Sequence, residues 1–164
     1  MPPVYIIFGV SGSGKTTIAQ KLSTALSIPF FDADDFHPVS NVEKMKAGVP
    51  LNDDDRFPWL ETLSNKIAEW NEARGAVLAC SALKEKYRDI LEGSSNLVRW
   101  VFLEGSHQLI VQRMEARKGH FMPPALLKSQ FESLEEPIEC LKVSIENTPT
   151  EIVGEIIEYF KEHE

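Results

Sequence analysis

Three stretches of this sequence bring together residue types that handle phosphate and protons. The first is GVSGSGKTT, residues 9–17, which fits G-x-x-x-x-G-K-[ST] through Gly9, Gly14, Lys15 and Thr16. Glycines let backbone N–H groups curl around a phosphate, and a helix N-terminus adds partial positive charge. Lys15 is expected to reach the β- and γ-phosphates of a nucleotide, and Thr16 to ligate Mg2+. The other reading, a glycine-rich turn with a chance lysine, does not account for the complete motif between a strand and a helix.

The second stretch is FFDADDFHP, residues 30–38. Asp32, Asp34 and Asp35 crowd like charges that repel unless something cationic or proton-donating sits against them. A kinase acting on an alcohol needs a carboxylate near the attacking hydroxyl. One of Asp32 and Asp34 can help hold a hydrated metal while the other faces the acceptor. The competing reading is a solvated acidic turn before Pro38.

The third group supplies cations. PLNDDDRFPW (50–59) carries Arg56, and CSALKEKYRD (80–89) carries Lys84 and Arg88, four apart on one face of an expected helix. Arginine grips a carboxylate through two parallel bonds; ordinary surface pairing, as of Arg56 with Asp53 or Asp54, is the alternative. RMEARKGHFMPP (113–124) offers Arg113, Arg117, Lys118 and His120 either as a lid over a polyphosphate or as a solvated helix end.

The elements that must position these groups alternate. Short apolar runs at 4–9, 28–33, 76–82, 98–105 and 140–147 read as strands. Helical periodicity marks 15–26, 41–48, 57–75 with Pro58 in its first turn, 84–93, 106–119 capped by Ser106, 124–136 and the C-terminal stretch. Such alternation implies βαβ units and a parallel sheet, with ligands at the carboxyl ends of the strands. The loops after strands one and two carry the first two stretches to that edge.

The totals set bounds. The 164 residues suffice for one domain, 1–164, with a substantial core. A net charge of -8 argues against a nucleic-acid binder and requires a local basic cluster for any anionic ligand. Cys80 and Cys140 lie in apolar runs and read as buried free thiols in a reducing compartment. The amino terminus lacks a basic n-region, and nothing approaches a membrane span, so a cytoplasmic protein is expected.

GVSGSGKTT, DADDFHP, NVEKMKAGVPLNDDDRFPWL, ACSALKEKYRD and HFMPPALLKSQFESLEEP, in this order and through nearly the whole chain, resemble the short, single-domain gluconokinases. The resemblance implies a phosphate-loop kinase fold with strand order 2-3-1-4-5 and a mobile lid, near 113–135. It implies transfer of the γ-phosphate of ATP to the 6-hydroxyl of D-gluconate, with Asp34 accepting the hydroxyl proton. ATP would lie on Gly9, Ser11, Gly12, Ser13, Gly14, Lys15, Thr16 and Thr17, served by Arg113 and Arg117, with Lys15, Asp34 and Arg117 catalytic. Thr16, Asp32 and Asp34 would support Mg2+. Arg56, Lys84, Arg88 and His120 would surround the sugar acid with Asp34. His37 is a further substrate candidate, or caps the loop beside Pro38; Gln130 is another, although a glutamine on a helix is more often solvated. The likeness also implies a homodimer.

Strand three ends in Cys-Ser-Ala rather than the aspartate common to phosphate-loop proteins. A shikimate-like or other small-molecule kinase is the alternative, but SALK stands where the shikimate enzymes place a glycine triplet. A nucleotide-binding switch is the rival from another class, and no N-K-x-D segment supports it.

Overall fold

A computed structural model describes residues 1–116 and 124–164. Its central strand, β1 (Val4–Phe8), is buried at all five positions. Side chains on a strand alternate between faces, so a run that is apolar throughout must be covered on both. Tyr5 and Ile7 pack against α1 (Lys15–Leu26) and α7 (Pro149–Glu162) through Ile18, Leu22, Ile152 and Ile156. Val4, Ile6 and Phe8 face α3 (Asp53–Glu72) and α4 (Glu85–Glu92) through Leu60, Leu63, Ile67 and Leu91.

The remaining strands are β2 (Phe30–Asp32), β3 (Ala76–Cys80), β4 (Val98–Glu104) and β5 (Leu141–Ser144). All pairings are parallel, in the order β2-β3-β1-β4-β5. This is the sheet that the family resemblance implied. A 3-10 turn, Ala33–Phe36, follows β2 and leads to α2 (Val39–Lys46); α5 (His107–Ala116) follows β4 and α6 (Pro124–Ser133) precedes β5. Ser106 caps α5, its hydroxyl accepting from the Leu109 amide at 3.1 Å.

One helix begins earlier than its periodicity suggests. Asn52 accepts from the Asp55 amide at 2.9 Å, and the Asp55 carboxylate accepts from the Asn52 amide at 3.0 Å. This reciprocal cap starts α3 at Asp53, so Pro58 lies inside the helix rather than in its first turn. Three aspartates then occupy the first turn, where the helix dipole favours negative charge. Cys80 is buried, Cys140 half-buried, and both are free thiols. Among the described residues, no helix is long and apolar enough to cross a membrane.

Candidate active site

The loop after β1 is shaped to receive phosphate. Gly12 and Gly14 have φ of 81° and 95°, in the left-handed region that favours glycine. A Cβ on Gly12 would lie 2.7 Å from Met114 Cγ, so α5 packs against the bare backbone. Gly14 sits at the N-cap of α1, and no side chain among the described residues caps that end. Its leading N–H groups are left for a ligand. The Ser13 hydroxyl is buried without a hydrogen-bond partner among the described residues. Lys15 Nζ arches back to donate to the carbonyls of Gly9 and Val10, each at 3.1 Å. An anionic oxygen would be a stronger acceptor than either carbonyl. An uncapped helix end, an orphaned hydroxyl and a lysine folded over its own loop together fit a nucleotide polyphosphate.

The acidic stretch faces this cradle. Burial lowers the Lys15 pKa, while Cys80, Asp34 and Asp32 oppose the shift by their charges. Conversely, desolvation in the cleft raises Asp34 although its side chain is 80% exposed in the open site, with Lys15 pulling it back down and Asp35 adding to the rise. Enclosure also raises Asp32, partly offset by the Asp34 amide, which donates to Asp32 Oδ1 at 2.9 Å. The crowded carboxylates thus lie within the electrostatic reach of the lysine of the cradle, whose Nζ itself is bonded to the Gly9 and Val10 carbonyls. Trp59 holds the turn in place: its indole N–H donates to the Ala33 carbonyl at 2.7 Å. Burial pushes the Cys80 thiol up to about 12, so the end of β3 presents a neutral group there.

The residues present suit Mg2+ of the kind found with nucleotides. Thr16 lies in the first turn of α1 at the cradle, and Asp32 and Asp34 lie at the end of β2 and in the turn that follows it. Among the described residues, no three His, Cys, Asp or Glu side chains form a protein-only cage. Mg2+ does not need one, because it keeps several waters and takes phosphate oxygens as ligands.

Beyond Asp34 the wall turns cationic. The His37 side chain is only 4% exposed, and its Nε2 lies 3.8 Å from Asp34 Oδ1. Burial and then the nearby Arg56 charge lower its pKa. Arg56 Nη1 donates to the Tyr87 hydroxyl at 3.3 Å and lies 3.8 Å from Asp53 Oδ1. Tyr87 donates to that same oxygen at 2.5 Å. Arg56, Lys84 and Lys86 all stand about the Tyr87 ring, 5.7 to 5.9 Å from its centroid. Hydrogen bonds from Lys86 and Tyr87 hold Asp53 down at about 2. Burial and the bond to Asp53 push Tyr87 up to about 12.

Several candidates sit differently from their sequence reading. Lys84 is the extended N-cap residue of α4, so it precedes the helix rather than sharing a helical face with Arg88. Arg88 is buried, at 9% exposure. Its guanidinium donates to the carbonyls of Ala82 and Glu135, each at 2.8 Å, and lies 5.2 Å over the Phe8 ring. Two of its donors therefore tie the chain just past the carboxyl end of β3 to the segment that follows α6. Gln130 is not solvated: its Oε1 accepts from the Ser11 amide at 2.6 Å and its Nε2 donates to the Ser11 hydroxyl at 2.9 Å. Arg113 donates to the Ile145 carbonyl. With Gly12, Ser13, Gly14, Thr17 and Asn147 it lines a cavity of about 360 Å3 on the outer side of the cradle. Arg117 and His120 lie outside the described residues.

Four participants escaped the sequence reading: Asn41, Asp53, Trp59 and Tyr87. Asn41 lies four residues after His37, but His37 is extended and precedes α2, so helical spacing does not announce their contact. The sequence offers Asp53 only as a surface partner of Arg56, and Tyr87 stands between Lys86 and Arg88 without a pattern of its own.

A parallel sheet with a phosphate loop after β1, an acidic pair after β2 and a cationic wall beyond it defines a P-loop kinase of small molecules. Comparison with known proteins narrows the class. The family model for shikimate kinase matches residues 11–159. A thermosensitive gluconokinase of Escherichia coli (strain K12) is 49% identical over 134 residues, covering 81% of this chain and 72% of the relative. A probable gluconokinase of Dictyostelium discoideum is 44% identical over 172 residues, covering 96% of this chain and 86% of the relative. The crystal structure of a gluconokinase from Sinorhizobium meliloti 1021 superposes with a TM-score of 0.84 at 39% identity, covering 94% of this chain and 89% of that one. The chain belongs to the kinases that the shikimate kinase model describes and, among them, to the gluconokinase family.

Proposed function

We propose that this protein transfers the γ-phosphoryl group of ATP to the 6-hydroxyl of D-gluconate, giving 6-phospho-D-gluconate and ADP. The observation that carries this reading is the run of charge along one sheet edge. Asp34 lies within the electrostatic reach of Lys15 on one side and 3.8 Å from His37 on the other, and His37 in turn lies within reach of Arg56 at the start of the cationic wall. A polyol carboxylate needs cations at one end and a proton acceptor at the other, and this sequence of groups offers both.

In the reaction, the 6-hydroxyl oxygen bonds to the γ-phosphorus as the bond to the β–γ bridging oxygen breaks. Asp34 takes the hydroxyl proton, and its raised pKa makes it a better base than an ordinary aspartate. Lys15 and the N–H groups of the cradle stabilise the charge on the transferring group. Arg56 and Lys84 hold the sugar carboxylate, and Arg88 stiffens the loop that carries Lys84. Mg2+, held through Thr16 and Asp32, would neutralise phosphate charge and leave Asp34 to the acceptor. Arg113 flanks the nucleotide from α5, and Arg117 and His120 complete the nucleotide and sugar sites by the same family likeness. Gln130 joins the sugar side once released from Ser11.

The chain acts as one kinase domain, 1–164, with a lid near 113–135, and works as a cytoplasmic homodimer on a small-molecule substrate rather than on nucleic acid or membrane. A coupled ADP-release assay with sugar acids, shikimate and nucleoside monophosphates tests the reading. Turnover is expected with gluconate and ATP; turnover with shikimate but not gluconate overturns it.

A further inference from the structure

We infer that Asn41 sets the tautomer of His37, and that His37 is thereby a positioning residue presenting an Nε2–H donor to Asp34. The inference starts from a buried amide. Asn41, on α2, is 2% exposed, and its Nδ2 meets two groups: the Asp55 carbonyl at 2.8 Å and His37 Nδ1 at 3.1 Å. A carbonyl only accepts, so the Asn41 atom facing it must be the NH2 nitrogen. The reversed amide would press two acceptor oxygens together in a buried site, an arrangement that carries a desolvation penalty and no bond.

With one Asn41 hydrogen on the carbonyl, the other points at His37 Nδ1. That ring nitrogen must then offer a lone pair. A neutral imidazole with an accepting Nδ1 carries its hydrogen on Nε2. Nε2 is the atom that faces Asp34 Oδ1 across 3.8 Å. The gap exceeds a hydrogen bond, but the Asp34 side chain is 80% exposed and has room to turn, whereas the His37 side chain at 4% has none.

The ring plane is fixed as firmly as the tautomer. His37 stacks on Trp59 at 4.2 Å between centroids and 13° between planes. Trp59 in turn donates to the carbonyl of Ala33, the residue before Asp34. One indole therefore registers both the imidazole and the turn that bears the carboxylate. A donor fixed on one carboxylate oxygen would leave the other free to receive a proton. This inference rests on the reading of Asp34 as the proton acceptor, and it assigns roles to Asn41 and His37 that act through that residue.

The test separates tautomer from chemistry. Long-range 1H–15N spectra of the full-length 15N-labelled protein, without substrate, are expected to show His37 protonated at Nε2 and bare at Nδ1. Asn41→Leu removes the donor at nearly constant size and should let hydrogen populate Nδ1. It should also lower kcat for gluconate on the order of ten- to a hundredfold, the usual scale for orienting partners, with KM for ATP unchanged. Two replacements at position 37 divide positioning from packing. His37→Phe keeps the stack on Trp59 and loses the donor; His37→Gln loses the stack and keeps an N–H. Positioning requires the glutamine variant to retain more kcat than the phenylalanine variant, and a packing role requires the reverse. An Nδ1–H tautomer in the native protein, or full kcat in His37→Phe, overturns the inference. Because the tautomer is read without substrate, that failure is distinct from failure of the reaction itself: full turnover in Asp34→Asn removes the base assignment, and the kinetic role of His37 with it.

Discussion

Gln130 and Ser11, 119 positions apart, are joined by two hydrogen bonds: the glutamine carboxamide takes the Ser11 amide hydrogen and gives one to the Ser11 hydroxyl. The carboxamide therefore occupies a cradle N–H that a phosphate oxygen would use. Gln130→Leu should release that donor. One such bond is worth about 0.5–1.5 kcal/mol, so calorimetry with a non-hydrolysable ATP analogue should show binding tightened by roughly two- to tenfold in the absence of gluconate. Weaker analogue binding would mean that Gln130 supports the cradle instead.

Asp34→Asn removes the proposed proton acceptor. It should lower kcat by on the order of 10²–10⁴ while leaving ATP binding intact. Urea unfolding should place the variant close to the native chain, so that lost turnover without lost stability separates a functional cost from a folding defect.

Tyr87 links Asp53 to Arg56 through its hydroxyl. Tyr87→Phe keeps the ring that the three cations surround and removes only the link. KM for gluconate should rise by roughly two- to tenfold, the worth of one such bond, with KM for ATP unchanged. Equal changes in both KM values would place Tyr87 outside the sugar site.

Arg88 ties two main-chain carbonyls together, at Ala82 and Glu135. Arg88→Ala should cost on the order of 2–5 kcal/mol, because it leaves both carbonyls short of a donor and opens space beside Phe8. Urea unfolding measures this. A variant as stable as the native chain would return Arg88 to the substrate alone.

Asp53 gives stability a defined acid limb. Its folded pKa is depressed to about 2 from an ordinary 3.8, so its contribution is present above 3.8 and lost as pH falls toward 2. The gap in thermal midpoint between native protein and Asp53→Asn should therefore be steady from pH 7 to 5 and close between pH 4 and 2. A gap that persists at pH 2 would place the effect in packing rather than charge.

Local order was legible in this chain because local physics decides it. Each of the five apolar runs holds a strand, and those of β1 and β3 are apolar throughout because both of their faces are buried. The phosphate loop was legible because glycine conformation, helix start and lysine lie within nine residues. The reciprocal Asn52–Asp55 cap is also a local feature, since its two partners lie three residues apart.

The sequence by itself determined the strands, most of the helices, the cradle and the acidic turn opposite it, since each depends on neighbours a few positions apart. Only the tertiary structure decided which partners the polar side chains would choose. Arg88 met carbonyls 6 and 47 positions away instead of solvent, Gln130 met Ser11, and Asn41 met the carbonyl of Asp55 14 positions on as well as its near neighbour His37. A donor's choice of acceptor depends on what packing brings within about 3 Å, and on the cost of leaving it unpaired once water is gone. Neither is set until the layers close on the sheet.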